Sequence, residues 1–234
     1  MAGTDAIQDQ RAPAWSGHLH TAFSLIAWCA ALNFMWLAFT LLGGVVFGAG
    51  PATVAACVVT RRRMRGESIR WRDFATVWRK EFWRGTIVVL PVAAVVLLLY
   101  SNYVYFSAFG SAAGGPRLVT LAALVFAIAA GSYVAPMYSY YDLPLHQYFP
   151  KAIRFALGRP VSTFILAFAF AVCAFVTAVM PVLLAVISFG AWWQASTYLS
   201  VRFFQENEDR LSRRAERESA IPPSSLPVEP MRIR

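Results

Sequence analysis

The stretch Leu42–Glu67, LGGVVFGAGPATVAACVVTRRRMRGE, decides how this chain is folded. It opens apolar and rich in glycine, passes through Gly50-Pro51, and ends in a run of arginines. It can be a membrane span, a segment that dips into a bilayer and returns, or the exit of a soluble core helix.

Its surroundings remove the last reading. Hydrophobic residues make up 58% of the 234 positions and charged ones only 14%, against about 25% charged in an ordinary soluble domain. The charges are also segregated. No Asp, Glu, Lys or Arg falls within 21–60, 85–116, 118–141 or 160–201. A helix needs about 20 mostly apolar residues to cross roughly 30 Å of hydrocarbon. The chain therefore reads as an all-α, polytopic membrane bundle. The first twenty residues lack the basic n-region of a signal peptide and read as a flexible segment.

Spans are expected at about 21–42, 44–60, 85–106, 117–139, 161–179 and 181–203. The last two come from a 42-residue uncharged run divided at Met180-Pro181, because proline ends a helix or opens a new one. Residues 205–218 alternate acids and bases and extend the last span as a charged helix. Residues 219–234 are Pro- and Ser-rich and read as disordered.

Orientation follows from the basic residues, which collect in cytoplasmic loops. Segment 61–84 holds nine of them against three acids, and 141–160 holds Lys151, Arg154 and Arg159. The 107–117 connection has only Arg117, and the Met180 turn has none. Both basic connections and the C-terminal tail are thus placed inside. The +9 net charge reflects this bias and does not point to nucleic acid.

The position of the N-terminus rests on the opening stretch. From Pro51 to Thr60 a helix rises only about 15 Å, and from Gly43 about 27 Å. A short, broken second span fits best, with an inside N-terminus. Gly50 would cap a helix whose first residue is Pro51, with Thr53 in its first turn. The glycine-rich entry would be irregular backbone packed inside the bundle, where its polar groups can be satisfied. Arg61, Arg62 and Arg63 would snorkel to the headgroups. Whether 43–60 crosses completely stays open.

Segment 68–84, SIRWRDFATVWRKEFWR, reads as a cytoplasmic amphipathic helix capped by Ser68. Trp71, Phe74, Trp78 and Phe82 recur at helical spacing. Such a helix lies in the headgroup plane against anionic lipid, or presents a docking surface to a partner. In 141–160, Asp142 and His146 are separated by Pro144 and form no convincing metal or catalytic pair.

Within the spans the polar groups are few: Asn33, Asn102, Gln194 and scattered hydroxyls. Asn33 and Gln194 read first as hydrogen-bonding glue between helices and second as ligand contacts. Small residues at four-residue spacing, Ala127–Gly131–Ala135 and Ala167–Ala171, suggest close packing within the bundle or between copies. Cys29, Cys57 and Cys173 lie in apolar runs and read as small hydrophobes. No catalytic constellation, cofactor motif or metal-ligand spacing is evident, so no enzyme is expected.

Asn33 and Trp36 in LNFMWLAFT, then Gly50, Pro51, Ala52, Thr53 and Ala56 in GAGPATVAA, resemble the YesL-like family of bacterial multi-pass membrane proteins. The resemblance continues through RDFATVWRKEFWRG and GAWWQASTYLSVRFF, covering roughly residues 20–205. The family often has a proline where the first span ends; this chain has Gly43-Gly44. The family has no established biochemical activity. Its members are often encoded beside carbohydrate-uptake systems. The resemblance therefore implies a bacterial inner-membrane accessory protein, with ABC transporter subunits or further copies of itself as partners. The alternative is a small-molecule transporter or channel without intramembrane charge coupling.

Overall fold

The computed structural model describes residues 14–219. Among them there are helices and turns and no strands. The helices are α1 (Ala14–Leu42), α2 (Val46–Met64), α3 (Trp71–Lys80), α4 (Phe82–Ser107), α5 (Gly114–Gly131), α6 (Val134–Tyr140), α7 (Tyr148–Gly158), α8 (Pro160–Val179) and α9 (Phe189–Ser219). A π-helical turn, Leu184–Ser188, leads into α9.

Four helical stretches are long and apolar enough to cross a membrane: Thr21–Leu42, Phe82–Ser107, Gly114–Tyr140 and Pro160–Val179. The expected second and sixth spans are not among them. The second, α2, is rich in small residues and ends in Arg61, Arg62 and Arg63. The sixth is interrupted by the π turn and then runs without a break into the charged part of α9.

The centre of the bundle is α2. Ala52, Val54, Ala55, Ala56, Cys57, Val59 and Thr60 are inaccessible to solvent. A helix buried on all its faces needs no amphipathic pattern, which is why a run of Ala, Val and Thr suits this place. Helices α1, α3, α4, α6 and α9 surround it. A second core gathers Tyr133 from the turn before α6 with Tyr148, Leu166 and Phe204 from α7, α8 and α9. The first residues, 1–13, and the Pro/Ser-rich tail, 220–234, lie outside the described residues, and α1 already runs from Ala14.

The Gly-Pro start of α2 differs from expectation. The helix begins at Val46, and Pro51 sits inside it. Gly50 is therefore a helical residue and not a cap. The turn itself is made by Gly43, Gly44 and Val45, with Gly44 at φ +77°, where L side chains are rarely found. Proline has no N–H, so the Phe47 carbonyl lacks its helical partner. The Thr86 hydroxyl of α4 supplies the replacement. It lies 3.0 Å from that carbonyl and shares its proton with Phe82 O at 2.7 Å.

The aromatic stripe of 68–84 is also placed differently. α3 starts at Trp71, with the Arg70 N–H held by the Asp73 carboxylate at 2.8 Å; Ser68 does not cap it. The helix ends at Lys80, and Phe82 opens α4. Phe74 is fully buried, and the Phe74 and Trp78 rings both pack against Phe39 of α1, tilted by 40° and 52°. These two rings face protein and not headgroups. Lipid and a neighbouring helix are equally apolar, so periodicity finds the stripe without saying what covers it. Trp71 and Trp83 remain exposed, at 64% and 69%.

Candidate functional site: a polar junction between α1, α2, α4 and α9

Glycines set this junction. A Cβ on Gly50 would lie 2.7 Å from Thr86 Cα, and one on Gly85 2.9 Å from Pro51 Cα. A Cβ on Gly48 would meet the Thr40 carbonyl, and one on Gly190 the Cys29 carbonyl. The row Gly48, Gly50, Gly85 and Gly190 thus lets α2 touch α1 and α4, and α9 touch α1, backbone to backbone. Small residues serve this purpose wherever apolar helices pack closely.

Asn33 sits inside the contact and is wholly inaccessible. Its Nδ2 donates to Ala185 O at 2.6 Å and lies 3.4 Å from Leu184 O. Its Oδ1 accepts the Gly190 N–H at 3.1 Å. The wider pairing of a π turn leaves backbone groups without helical partners, and one asparagine side chain of α1 takes them up. Gln194 plays a lesser part: Trp28 Nε1 donates to its Oε1 at 2.9 Å. Trp36 donates to Thr53 Oγ1 at 3.1 Å and stacks on Phe189 at 4.3 Å between centroids. Asn33, Gly50, Pro51, Thr53 and Gln194, all singled out in the sequence, are therefore brought into one junction. Gly85, Thr86, Trp28 and Gly190 join it without having been singled out. A lone glycine in an apolar run, as in SFGAWWQ, was the one available signal for Gly190.

Beside the junction is a cavity of about 290 Å³ bordered by Trp36, Thr53, Ser132, Phe170 and Trp193. Trp193 Nε1 is buried without a protein partner. Between α2 and α9, the hydroxyls of Thr60 and Ser200 are also buried without one.

The arginines at the end of α2 are not placed alike. Arg61 donates to Ser139 O and lies over the Tyr140 ring at 4.6 Å. Arg63 reaches Ser24 Oγ at 3.2 Å and the Trp28 ring at 4.5 Å. These contacts tie the C-terminus of α2 to α6 and α1, and the positive charge also suits the negative end of a helix. Arg62 has no such contact among the described residues. Further bonds link the same regions. Tyr138 donates to Glu81 at 2.5 Å and Tyr140 to Glu208 at 2.9 Å. Arg159 bonds Phe203 O at 3.0 Å and pairs with Glu206 at 3.7 Å. The segments 61–84, 138–159 and 203–209 are thereby joined. Tyr148 orders the intervening loop, donating to Tyr141 O at 2.8 Å and accepting the Leu143 N–H at 3.0 Å. Burial pushes the Tyr148 phenol above its ordinary range, so it keeps the donating proton.

Among the described residues, no three His, Cys, Asp or Glu side chains converge as a metal site. The three cysteines are free, with Cys29 and Cys57 buried.

Fold and junction together define an all-helical bundle with membrane-type helices, whose inner polar side chains bind helix to helix. Residues 29–103 match the family described as "Protein of unknown function, DUF624"; they include the α1, α2 and α4 sides of the junction. The chain is 40% identical over 142 residues to the uncharacterized protein YesV of Bacillus subtilis strain 168. It is 31% identical over 147 residues to the uncharacterized protein YesL of the same organism. Each match spans 59% of this chain and 66% of the relative's own length. No solved structure matches the chain. The chain belongs to this YesL-like family of unknown function.

Proposed function

We propose that the protein is a non-catalytic, multi-pass accessory protein of the bacterial cell membrane that docks a transporter subunit at its cytoplasmic face. A carbohydrate ABC transporter is the partner class that the family resemblance implies. One observation carries this reading. Phe74 and Val77 anchor α3 in the bundle, while Trp71 and Trp83 stand out at 64% and 69% exposure beside Arg72, Arg79, Lys80 and Arg84. Exposed tryptophans among arginines on a rigid support are the side chains that dominate protein interfaces. In this reading 61–84, 138–159 and 203–209 form one cytoplasmic surface, held together by the Arg61, Tyr138, Tyr140 and Arg159 contacts. Six segments cross, α2 being the short one. Both termini are inside, and α3 lies near anionic headgroups.

A second reading, a solute carrier or channel, draws on the cavity at Trp36 and Trp193. Copurification from native membranes in mild detergent, set beside solute flux in proteoliposomes of the purified protein, separates the two. Docking predicts that Trp71→Ser with Trp83→Ser releases the partner at unchanged melting temperature. Trp78 is excluded from this pair because it packs on Phe39. Flux from the purified protein that survives both substitutions would overturn docking.

A further inference from the structure

The turn between α1 and α2 presents an unbroken apolar surface. Leu41, Leu42, Val45, Val46 and Phe47 are each more than half exposed. From Leu41 to Ala52 no side chain carries a polar group. The turn also bonds its own backbone. The N–H groups of Gly43, Gly44, Val45 and Val46 donate to Phe39 O, Leu41 O, Thr40 O and Gly44 O at 3.1, 3.1, 2.9 and 2.7 Å. The last of these bonds closes a γ-turn centred on Val45, at φ 58° and ψ −67°. That form is rare and strained, and a side chain branched at Cβ suits it badly.

In water this strain is unnecessary, because a water molecule can take the Val46 N–H and let Val45 relax to negative φ. In hydrocarbon no solvent group can take it, and an unbonded N–H costs more there than the strained turn. The depth of the turn agrees. Thr86, at the start of α4, meets the Phe47 carbonyl, and α4 then runs on to Ser107, about 30 Å further at about 1.5 Å per residue. The turn therefore lies well short of the far end of α4. A protein partner matches the surface less well, since interface patches carry a polar rim and Leu41–Ala52 supplies none.

We propose that the α1–α2 turn ends inside the bilayer, its exposed side chains wrapped by lipid acyl chains short of the outer head groups. This rests on the six-segment reading given above and refines it: α1 and α2 enter from the cytoplasmic side, turn within the hydrocarbon and return. It keeps both termini inside and is independent of docking.

The test places one nitroxide label on the full-length chain, at Leu42→Cys or at Val46→Cys, with Cys29, Cys57 and Cys173 replaced by alanine. The protein is reconstituted into vesicles of phosphatidylcholine and phosphatidylglycerol. Power saturation then compares collisions with dissolved oxygen, which concentrates in hydrocarbon, and with a water-soluble nickel chelate. Oxygen is expected to exceed the chelate by about fivefold at both sites, as for groups at hydrocarbon depth. A chelate rate above the oxygen rate places the turn in water and overturns the proposal. Low rates for both reagents mean that protein covers the turn, and overturn it in favour of a partner or a second copy. Should the cysteine-free chain fail to fold, Leu42→Asp with Val46→Asp in the native chain is expected to lower the membrane-inserted yield by about fivefold, and an unchanged yield overturns the proposal. A label at Phe109→Cys, in the α4–α5 connection, is read alongside and is expected to meet the chelate. Its result judges the six-segment topology, while the depth of the turn is judged at Leu42 and Val46 alone.

Discussion

Gly190→Val is expected to leave almost no folded protein. At this position α9 crosses α1 with no room for a side chain, since even a Cβ would overlap the Cys29 carbonyl. The obstacle is backbone inside a helix, which cannot rotate aside as a side chain can. The same crossing places the Gly190 N–H on Asn33, so any shift of α9 that relieves the overlap also breaks that bond. Core overpacking costs about 1–3 kcal/mol and exceeds about 4 only in exceptional cases; an overlap with fixed helix backbone places Gly190→Val at the upper end. Fluorescence-detected gel filtration after mild extraction reads the folded fraction. Gly115→Val is the control, because that glycine faces open space. Equal folded fractions for the two variants would mean that α1 and α9 do not cross at Gly190.

The second large effect is expected at Asn33→Leu. Leucine fills a similar volume but leaves the Ala185 carbonyl and the Gly190 N–H without their partner. An orphaned buried backbone group costs roughly 1–3 kcal/mol, so a loss of about 2–4 kcal/mol is expected. Gln194→Leu removes only one bond, that from the Nε1 of buried Trp28. Such bonds between membrane helices average about 0.6 kcal/mol. The melting temperature in detergent should therefore fall several times further for Asn33→Leu than for Gln194→Leu. Similar falls would show that the π turn does not depend on Asn33.

The contrast between these two residues was not legible in the sequence. Both are lone amides in apolar runs, and both read as glue. Their different weights come from the π turn at Leu184–Ser188, which the sequence marks only by Pro181 and Gly190. The apolar runs and the segregation of charge were legible because a bilayer imposes length and polarity on each segment by itself. The Gly-Pro start of α2 was misread for the opposite reason. Gly50 suggested a cap from local propensity, whereas its role is set by Thr86, 36 positions away. Thr86 also repairs the carbonyl that Pro51 leaves open, so the proline is tolerated within a helix by virtue of a partner that no local rule includes. For α3, periodicity located Phe74 and Trp78 correctly but could not choose between lipid and the α1 side chains that cover them.

The most direct test of the account is a topology measurement. The contacts of Arg61, Tyr138, Tyr140 and Arg159 bring the basic segments 61–84 and 138–159 together with the acidic 203–209, and the proposed function requires that surface to be cytoplasmic. A phosphatase reporter inserted at Ser68, Asp142, Gly110 and Gln10 reads the side of each. The account predicts silence at Ser68, Asp142 and Gln10 and activity at Gly110. Activity at Gln10 alone would remove α2 from the crossing segments, and activity at Ser68 or Asp142 would contradict the single cytoplasmic surface on which the account stands.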